Sequence, residues 1–534
     1  MPGMTRPATL ARHGMVSSPH YLASGAGMRV LQDGGSAVDA AIATCATLGV
    51  VYPHMTGVGG DAFWLIYEAS TQKLHALNGS GRAASQATPA FFRSRGYDTI
   101  PSRGPMAALT VPGAVDSWCS AHDRFGRIPL SQALAPAISY ARDGHAVCPG
   151  LERWSQGAEK FLNEHDRSRE VYLPHGRPSR ACEVLYLPDL ARTMEAVAER
   201  GRDGFYEGPV ADAMVKAVQE AGGVLQMDDL ASHRSDWVEP ISTTYRGYTC
   251  YQHPPNSAGF SLLSILNILE GFELGDLEED GVDYLHLVVE ATKLAFAGRN
   301  QYLTDPEFRE IPLGRLLSKE YAEEMRALID LGQSLPQRNE KAVSGDTVCV
   351  VAADEEGNTV STIQSLYEDF GSGFVAGETG ILLQNRGSFF SLNEDQANCL
   401  EPGKRTFHTL MPAMLFKDGR PSLVYGTMGG EGQAQTQAAV VTRVVDFGHD
   451  IQSAIDLPRW VQGRTIGAAT SDLRVEGRFP PEVVEALRAR GHAVRVLGEW
   501  DDTMGHAQGI SLDYDQGVLT GGSDPRGDGT AVGW

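Results

Sequence analysis

The stretch from Gly345 to Gly373 most constrains this chain, because it predicts a β-hairpin whose first strand starts directly after a Gly-Asp turn. The predicted strands are TVCVVAA and TVSTIQSLY, joined by the polar turn DEEGN. Both strands carry hydroxyl side chains at positions where apolar residues would pack better, and the first strand begins with Thr347. The hairpin therefore raises the question of what its hydroxyls do.

A threonine at the start of a strand can be a nucleophile under one condition. Its hydroxyl is weak at neutral pH and needs a base, which can be the residue's own α-amine when threonine is the first residue of a chain. That amine has a reference pKa of about 7.7 to 8.0. Thr347 is internal, so attack of its Oγ on the Asp346 carbonyl would have to cut the chain between them. Taken alone, a threonine in this position is more simply a turn residue entering a strand.

Composition narrows the class of ligand. The 534-residue chain is 42% hydrophobic and carries a formal charge of -22, which opposes binding to nucleic acid or to an anionic membrane surface. We therefore expect a small-molecule substrate. The first residues lack the apolar core of a signal peptide and no stretch is long enough to span a membrane, which predicts a cytoplasmic protein. Seven scattered cysteines without C-x-x-C spacing favour free thiols over disulfides or zinc.

The order of predicted elements indicates a layered α+β architecture. Two helices joined at Gly34-Gly35 are followed by the strands DAFWLIYEAS and KLHALNGSG, and the region from about Thr110 to Glu340 is largely helical. The polar segment from Ser318 to Asp346 is predicted to be exposed and mobile. The strands predicted from Thr347 onward are TVCVVAA, TVSTIQSLY, GILLQN, AMLFK and SLVYGTM, followed by two helices and a final strand before GGSDPRGDGTAVGW.

Generic site motifs are weak in this sequence. The glycine-rich GVGGDAF precedes a strand and does not open a helix, so it predicts a tight turn and not a phosphate site. The segment HPPNSAG at His253 fits a rigid loop better than a metal site. No G-x-S-x-G elbow is present to place a catalytic serine. We predict no metal and no cofactor.

A collinear set of motifs resembles the γ-glutamyltransferase family of N-terminal nucleophile hydrolases across almost the whole chain. The matching segments are GGSAVDAAIA, GVGGDAF, TVPGAVDSW, PPNSAG, TVCVVAADEEGNTVS, FGSGFVAGETGILLQN, MPAMLF, GTMGG and SDPR. The resemblance implies a four-layer αββα fold made as one precursor. It also implies autocatalytic cleavage into a large subunit, residues 1–346, and a small catalytic subunit, residues 347–534. These subunits are expected to stay associated, and a homodimer of that heterodimer is allowed.

The resemblance also assigns the catalytic residues. Thr347 is similar in position to the family's nucleophile, and the bond from Asp346 to Thr347 is the implied cleavage site. Ser365 stands 18 positions later, where the family has a second hydroxyl that hydrogen-bonds the amino end of the nucleophile. Two strands of a hairpin can bring these residues together. Gly429 and Gly430 match the pair whose backbone N–H groups form the oxyanion hole.

The substrate-binding positions depart from those of the true transpeptidases. Ser80 stands at the family's arginine position, and Arg82 lies two residues on, on the same face of a strand. Phe389 replaces the aspartate that holds the substrate α-amine, and a phenyl ring cannot pair with an ammonium ion. His408 and Thr409 replace the two serines that grip the α-carboxylate.

Tyr367 is a further departure, because the family has an asparagine at this position. Together these departures resemble the divergent branch that contains cephalosporin (glutaryl) acylases and oxamate amidohydrolase. Arg82, Arg386 and His408 are then candidate partners for a substrate carboxylate, with structural ion pairs as the alternative. The predicted function is hydrolysis of an amide whose acyl part carries a carboxylate. The alternatives are a γ-glutamyl hydrolase or transferase and a non-processing pseudoenzyme with a binding role.

Overall fold

The computed structural model describes residues 5–336, 345–463 and 470–534, except for the side chain of Asp346. The strands in these residues are β1 (Thr9–Ala11), β2 (Met15–Ser18), β3 (Asp61–Glu68), β4 (Lys73–Gly79), β5 (His145–Ala146), β6 (Val184–Leu185), β7 (Asp236–Val238), β8 (Ile241–Tyr245), β9 (Tyr248–Gln252), β10 (Asp346–Ala353), β11 (Thr359–Tyr367), β12 (Ala413–Lys417), β13 (Arg420–Thr427), β14 (Trp460–Gln462), β15 (Leu473–Val475), β16 (Val494–Val496), β17 (Ala507–Asp513), β18 (Val518–Ser523) and β19 (Thr530–Gly533).

The helices of the described residues fall mainly before the hairpin. They are α1 (Tyr21–Gln32), α2 (Ala37–Val51), α3 (Pro89–Arg93), α4 (Ala114–Phe125), α5 (Leu130–Asp143), α6 (Pro149–Leu162), α7 (Asp166–Tyr172), α8 (Pro188–Arg200), α9 (Asp203–Tyr206), α10 (Pro209–Glu220), α11 (Met227–Ser232), α12 (Phe260–Leu269), α13 (Val282–Tyr302), α14 (Leu313–Leu316), α15 (Lys319–Arg326), α16 (Gly432–Val445), α17 (Ile451–Asp456) and α18 (Pro481–Ala489). Short 3₁₀ helices span Leu274–Asp276, Gly377–Thr379, Arg386–Phe389 and Asp502–Met504.

Two seven-stranded sheets form the centre of the molecule. One has the order β1-β18-β17-β13-β12-β9-β8, and the other has the order β19-β2-β10-β11-β3-β4-β7. Each sheet contains strands from both sides of Thr347 in the sequence. The β10–β11 hairpin lies in the middle of the second sheet, where β2 and β3 pair with its outer edges.

Three hydrophobic clusters define the layers. Along β10, Cys349 and Val351 face a cluster between the two sheets, whereas Val348 and Val350 face a second cluster on the outer side, as expected from alternating strand geometry. That outer cluster includes α1, α2, α4 and α5, and a third cluster joins α12, α13 and α16 to the other sheet. The order of layers is helix, sheet, sheet, helix, which confirms the predicted αββα sandwich.

Local signals place the first helices as predicted. Ser36 and Asp39 form a capping box at the start of α2, and Gly34 has a φ of +90° between α1 and α2, a conformation that favours glycine. α2 is buried along its whole length, and its alanine-rich sequence lets it pack closely beneath the hairpin.

Two strand predictions are wrong. GILLQN does not form a strand: Leu382 and Leu383 make only single bridges, to Val375 and Gly59. The chain also has a further strand, β19, inside the segment predicted to follow the last strand. Of the segment predicted to be mobile, α15 is a regular helix, and residues 337–344 lie outside the described residues.

Among the described residues, no helix combines the length and apolar character needed to cross a membrane. The seven cysteines are free, and only Cys182 is exposed.

Candidate active site

Thr347 lies at a β-bulge in the hairpin. Asp346 pairs with Tyr367, and Val348 pairs with Gln364, so Ser365 and the residue after it both stand opposite Thr347. Bulges of this kind bend a strand and redirect its side chains, and they are frequent beside active sites. As a result, Thr347 Oγ1 donates a hydrogen bond to Ser365 Oγ over 3.3 Å. The structure therefore brings together the two hydroxyls that the sequence placed 18 residues apart.

Ser365 is the centre of a small polar cluster. Its hydroxyl oxygen accepts hydrogen bonds from the Tyr367 backbone N–H at 2.8 Å and from Arg386 Nη2 at 3.1 Å. Tyr367 has a φ of +88°, which is unusual for a bulky residue and places its N–H within reach of Ser365. Strained backbone of this kind occurs most often at functional sites.

Arg386 is the most unusual side chain of this cluster. It is fully buried, and its Nε and Nη1 atoms have no hydrogen-bond partner among the described residues. Its guanidinium carbon lies 4.7 Å from the ring centre of Tyr367 and 5.2 Å from that of Phe389. Burial lowers the pKa of Arg386 to about 10, so the group stays charged at pH 7. A buried cation with free N–H groups is suited to receiving an anion.

Asp61 lies on the other side of Ser365. It is the first residue of β3 and pairs in register with Ser365. Its Oδ1 accepts hydrogen bonds from the backbone N–H groups of Gly81 and Gly113 and from the Gln384 amide, at 3.0 to 3.1 Å. Burial raises the pKa of Asp61 to about 6, and Arg386 partly offsets this rise.

His408 and Thr409 carry further unpaired polar atoms. His408 Nε2 lies 3.3 Å from Asp61 Oδ2, but neither ring nitrogen of His408 makes a hydrogen bond within the described part of the chain, and neither does Thr409 Oγ1. Burial, followed by the positive charge of Arg386, holds the pKa of His408 well below its usual value. The imidazole is therefore neutral at physiological pH.

An aromatic stack forms one wall of the cluster. The ring of Phe389 lies 4.2 Å from that of Tyr367 and 4.6 Å from that of Phe407, measured between centres. Phe389 is thus flanked by two aromatic rings and by the Arg386 guanidinium. Phe407 was not singled out from the sequence, because nothing in its neighbourhood predicted that it would meet Phe389.

Gly429 and Gly430 follow β13 at the end of that strand. They have φ values of +124° and +50°, which favour glycine, and the turn leads directly into α16. Earlier in β13, a Cβ on Gly426 would lie 2.7 Å from Cys349 Sγ, so this strand crosses the hairpin closely, two residues along β10 from Thr347. The role of Gly429 and Gly430 as oxyanion donors stays a prediction.

Arg82 belongs to a different cluster. Its guanidinium makes a bidentate ion pair with Glu307, at 2.9 and 3.0 Å, and lies within 4 Å of Asp236 and Asp305. No contact within the described residues joins Arg82 to the hydroxyl pair. Arg82 therefore has the structural ion pair that was the alternative to substrate binding. The backbone of Asp346 lies in β10, and the cleavage predicted after it stays a prediction.

Asp61 is a part of this cluster that the sequence alone does not indicate, because its segment GVGGDAF predicts only a tight turn. A Cβ on Gly59 would lie 2.1 Å from the Leu382 carbonyl oxygen, and one on Gly60 would lie 2.2 Å from that of Ser365. The glycines therefore let this turn pass against the end of β11, which places Asp61 beside Ser365.

One group of potential metal ligands lies elsewhere. Ligand atoms of His286, Glu290 and His492 lie within 4.8 Å of one another. His286 Nδ1 and His492 Nε2 are 2.8 Å apart, a hydrogen-bond distance, and shorter than the roughly 3.3 Å between two nitrogens on a tetrahedral zinc ion. Lys293 already neutralises Glu290 at 2.7 Å. The geometry favours a structural hydrogen-bond network over a metal site.

Comparisons with known proteins identify the family of this chain. The family model for gamma-glutamyltranspeptidase matches residues 23–534. The chain is 47% identical to the glutathione hydrolase-like YwrD proenzyme of Bacillus subtilis, covering 97% of this chain and 98% of the relative. It is 39% identical to the oxamate amidohydrolase proenzyme of Klebsiella pneumoniae, covering 99% of both chains.

A solved structure has the same fold. The cephalosporin acylase of Bacillus halodurans superposes with a TM-score of 0.92 at 39% identity, covering 100% of this chain and 98% of that one. The similarity extends over the full αββα sandwich. The chain therefore belongs to the gamma-glutamyltranspeptidase family and is an amidohydrolase with the N-terminal nucleophile hydrolase fold.

Proposed function

We propose that this protein cuts itself between Asp346 and Thr347 and then hydrolyses an amide whose acyl part carries a carboxylate. The observation that carries the proposal is the buried Arg386. The Ser365 hydroxyl bridges Arg386 and Thr347 by hydrogen-bonding to both, so the free N–H groups of Arg386 lie close to the proposed nucleophile. Arg82 is held by Glu307, so Arg386 is the proposed carboxylate partner.

The first step makes the catalytic amine. Thr347 Oγ1 attacks the Asp346 carbonyl carbon, the Asp346–Thr347 C–N bond breaks, and an ester joins Asp346 to the threonine oxygen. Water then hydrolyses this ester, which leaves a carboxylate on Asp346 and a free α-amine on Thr347. Residues 1–346 and 347–534 become two associated subunits.

The second step uses the same hydroxyl on the substrate. The α-amine takes the Oγ1 proton, Oγ1 attacks the amide carbonyl, and the N–H groups of Gly429 and Gly430 stabilise the resulting oxyanion. The leaving amine departs with a proton from the α-ammonium. Water activated by the same amine then cleaves the acyl ester and releases the acid.

Recognition of the acyl carboxylate uses the unpaired donors near Ser365. Arg386 supplies a positive charge and two parallel N–H donors. Thr409 and the neutral His408 add buried polar atoms that have no hydrogen-bond partner among the described residues. Buried polar groups without partners are costly, so a carboxylate that satisfies them binds with high selectivity.

A γ-glutamyl hydrolase is the second candidate, and two observations favour it. One relative is named a glutathione hydrolase-like proenzyme. In addition, Asp61 Oδ2 has no hydrogen-bond partner among the described residues and could face an ammonium ion. Against this candidate, the aromatic stack of Phe389 occupies the position of the family's amine-binding aspartate.

A comparison of donors separates the two candidates. Because an unpaired buried charge costs about 3 to 5 kcal/mol, the glutaryl anilide is expected to exceed the γ-glutamyl anilide in kcat/KM. A clear preference for the γ-glutamyl compound would support the second candidate and contradict the first.

The variant Thr347→Ala tests the mechanism itself. We expect a single uncut chain on denaturing gels and no amidase activity in assays. Thr347→Ser keeps an Oγ but loses the methyl group that restricts χ1, so slow cleavage and weak activity should appear together. Cleavage at Thr347 in the Ala variant, or activity of an uncut chain, would show that the nucleophile is misassigned. A wild type that never cuts would favour a pseudoenzyme.

A further inference from the structure

Resting on the proposed function, we infer that the site takes short acyl groups, with the oxalyl or malonyl chain length, and rejects extended glutaryl groups. The two relatives named above point to different acyl groups by their names, and neither name decides the matter for this chain. The distances within the Thr347 cluster do decide it, because they fix how far the carboxylate can lie from the reacting carbonyl.

The hydrogen bonds through Ser365 set an upper limit. A step of 3.3 Å from Thr347 Oγ1 to Ser365 Oγ and a step of 3.1 Å to Arg386 Nη2 leave the end atoms at most about 6.4 Å apart. A guanidinium binds a carboxylate bidentately through Nη1 with Nη2, or through Nε with Nη2. Since both faces include Nη2, the limit holds whichever face is used.

One of these faces has free capacity. One Nη2 hydrogen is bonded to Ser365, and the other completes a pair with whichever of Nε and Nη1 lies on its side; both of those atoms lack a hydrogen-bond partner within the described chain. The guanidinium is held in place by Ser365 and by the rings of Tyr367 and Phe389. It is buried, so a longer substrate cannot draw it outward without opening this packing.

Substrate dimensions can be compared with that limit. With an attack distance of about 3 Å, C–C bonds of about 1.5 Å and an N–O distance of about 2.8 Å, an oxalyl group spans roughly 5.5 Å from Oγ1 to the guanidinium nitrogen. A malonyl group spans roughly 6.5 Å, and an extended glutaryl group roughly 9 Å, on the same geometry. Glutaryl therefore has to fold back on itself or give up the bidentate contact.

The aromatic wall makes folding back unfavourable. Tyr367, Phe389 and Phe407 are stacked with ring centres 4.2 and 4.6 Å apart, which leaves no gap between the rings for a bent methylene chain. An acyl chain that folds toward this wall would have to displace one of the stacked rings. Chain length is thus selected by the same residues that bind the charge.

The test is a series of 4-nitroanilides with oxalyl, malonyl, succinyl and glutaryl acyl groups, each ending in a free carboxylate, assayed on processed wild-type enzyme. Each kcat/KM is divided by the rate constant for hydroxide hydrolysis of the same anilide, which removes differences in intrinsic reactivity. We expect the corrected kcat/KM of the oxalyl and malonyl anilides to exceed that of the glutaryl anilide by about tenfold or more, with most of the loss in KM.

The variant Arg386→Met is the control, and its self-cleavage on a denaturing gel reports that it is folded. In this variant the corrected kcat/KM should be similar for all four acyl lengths, because no fixed cation remains to hold the carboxylate at a set distance from Thr347. A wild type that hydrolyses glutaryl best, or a length preference that survives in Arg386→Met, would overturn the inference and leave the proposed carboxylate requirement standing. Hydrolysis of none of the four anilides would overturn the proposed function and the inference with it.

Discussion

Two buried arginine clusters in this molecule differ in how completely their hydrogen bonds are satisfied. Arg526 makes a bidentate pair with Glu476, at 2.6 and 2.7 Å, and a third contact with Asp524 at 3.1 Å. Arg459 joins the same network through Asp524 and the backbone. Arg386 is buried to the same degree, yet only its Nη2 atom has a hydrogen-bond partner among the described residues.

The difference separates a structural network from a site. In the Arg526 network, the nearby arginines hold the pKa of Asp524 well below its usual value, and Asp524 and Glu476 together raise the pKa of Arg526. Each charge there depends on the others. In the Arg386 cluster, Arg386 beside the hydroxyl pair and His408 beside Asp61 both have unsatisfied atoms. A buried charge without partners lowers the stability of the fold, but it can bind a ligand of opposite charge.

The largest effect should come from breaking the satisfied network. Glu476→Gln leaves the buried Arg526 without its bidentate counter-charge, and we expect a loss of about 3 to 5 kcal/mol in the free energy of unfolding. The measurement is urea unfolding of the uncut Thr347→Ala chain with and without the substitution. Arg386→Met in the same background should change stability by less than about 1 kcal/mol, because little of the fold depends on that charge. Equal losses of unfolding free energy in both variants would contradict the proposed difference between the two clusters.

Replacing Arg386 by lysine should impair catalysis instead of stability. An ammonium ion cannot reproduce the planar two-pronged contact, so kcat/KM for a carboxylate-bearing anilide should fall by about 100-fold, mainly through KM. Steady-state kinetics measures this fall, and a gel checks that cleavage still occurs. Unchanged kinetics in the cut variant would remove Arg386 from the substrate site.

A smaller effect should appear as pH is lowered. The pKa of Asp61 is raised to about 6, so its carboxyl becomes neutral below that pH while Arg386 stays charged. The site then gains positive charge, and KM for an anionic substrate should fall, by up to about tenfold, between pH 7 and pH 5. Asp61→Asn should have a low KM at both pH values. A wild-type KM that rises below pH 6 would contradict this electrostatic assignment.

The smallest effect is expected at Arg82. Its ion pair with Glu307 is partly exposed, and pairs of this kind contribute about 0 to 1 kcal/mol. Arg82→Lys should therefore change kcat/KM less than about threefold, which makes it the matched control for Arg386→Lys. A rise in KM comparable to that of Arg386→Lys would mean that the Arg82 cluster receives substrate.

Strong local patterns allowed much of the fold to be predicted. The prediction TVSTIQSLY coincides with β11 from Thr359 to Tyr367, and the glycines between α1 and α2 stand where the chain turns. The prediction failed for GILLQN, whose apolar residues pack in the core through isolated bridges and not in a ladder. An apolar run shows that a segment is buried, but its strand partners are decided by tertiary packing.

The site was predictable to the extent that its residues belong to one hairpin. Thr347 and Ser365 meet because β10 and β11 are neighbours in sequence. Asp61 could not be placed, because its position beside Ser365 depends on the pairing of β11 with β3, nearly 300 residues earlier in the chain. The choice between Arg82 and Arg386 also required tertiary structure, since Glu307 is 225 residues away from Arg82. The cytoplasmic location and the homodimer stay predictions.

The interleaved order of the sheets has a consequence for the lifetime of the proposed mature enzyme. β2 lies between β10 and β19, and β3 pairs with β11, so cleavage before Thr347 would divide both sheets between two chains. The precursor folds as one molecule, whereas the cut protein would unfold into two, and its recovery would depend on their concentration and on competing aggregation. Persistence of the active form would then be governed by the height of the barrier to unfolding and not by an equilibrium between folded and unfolded chains.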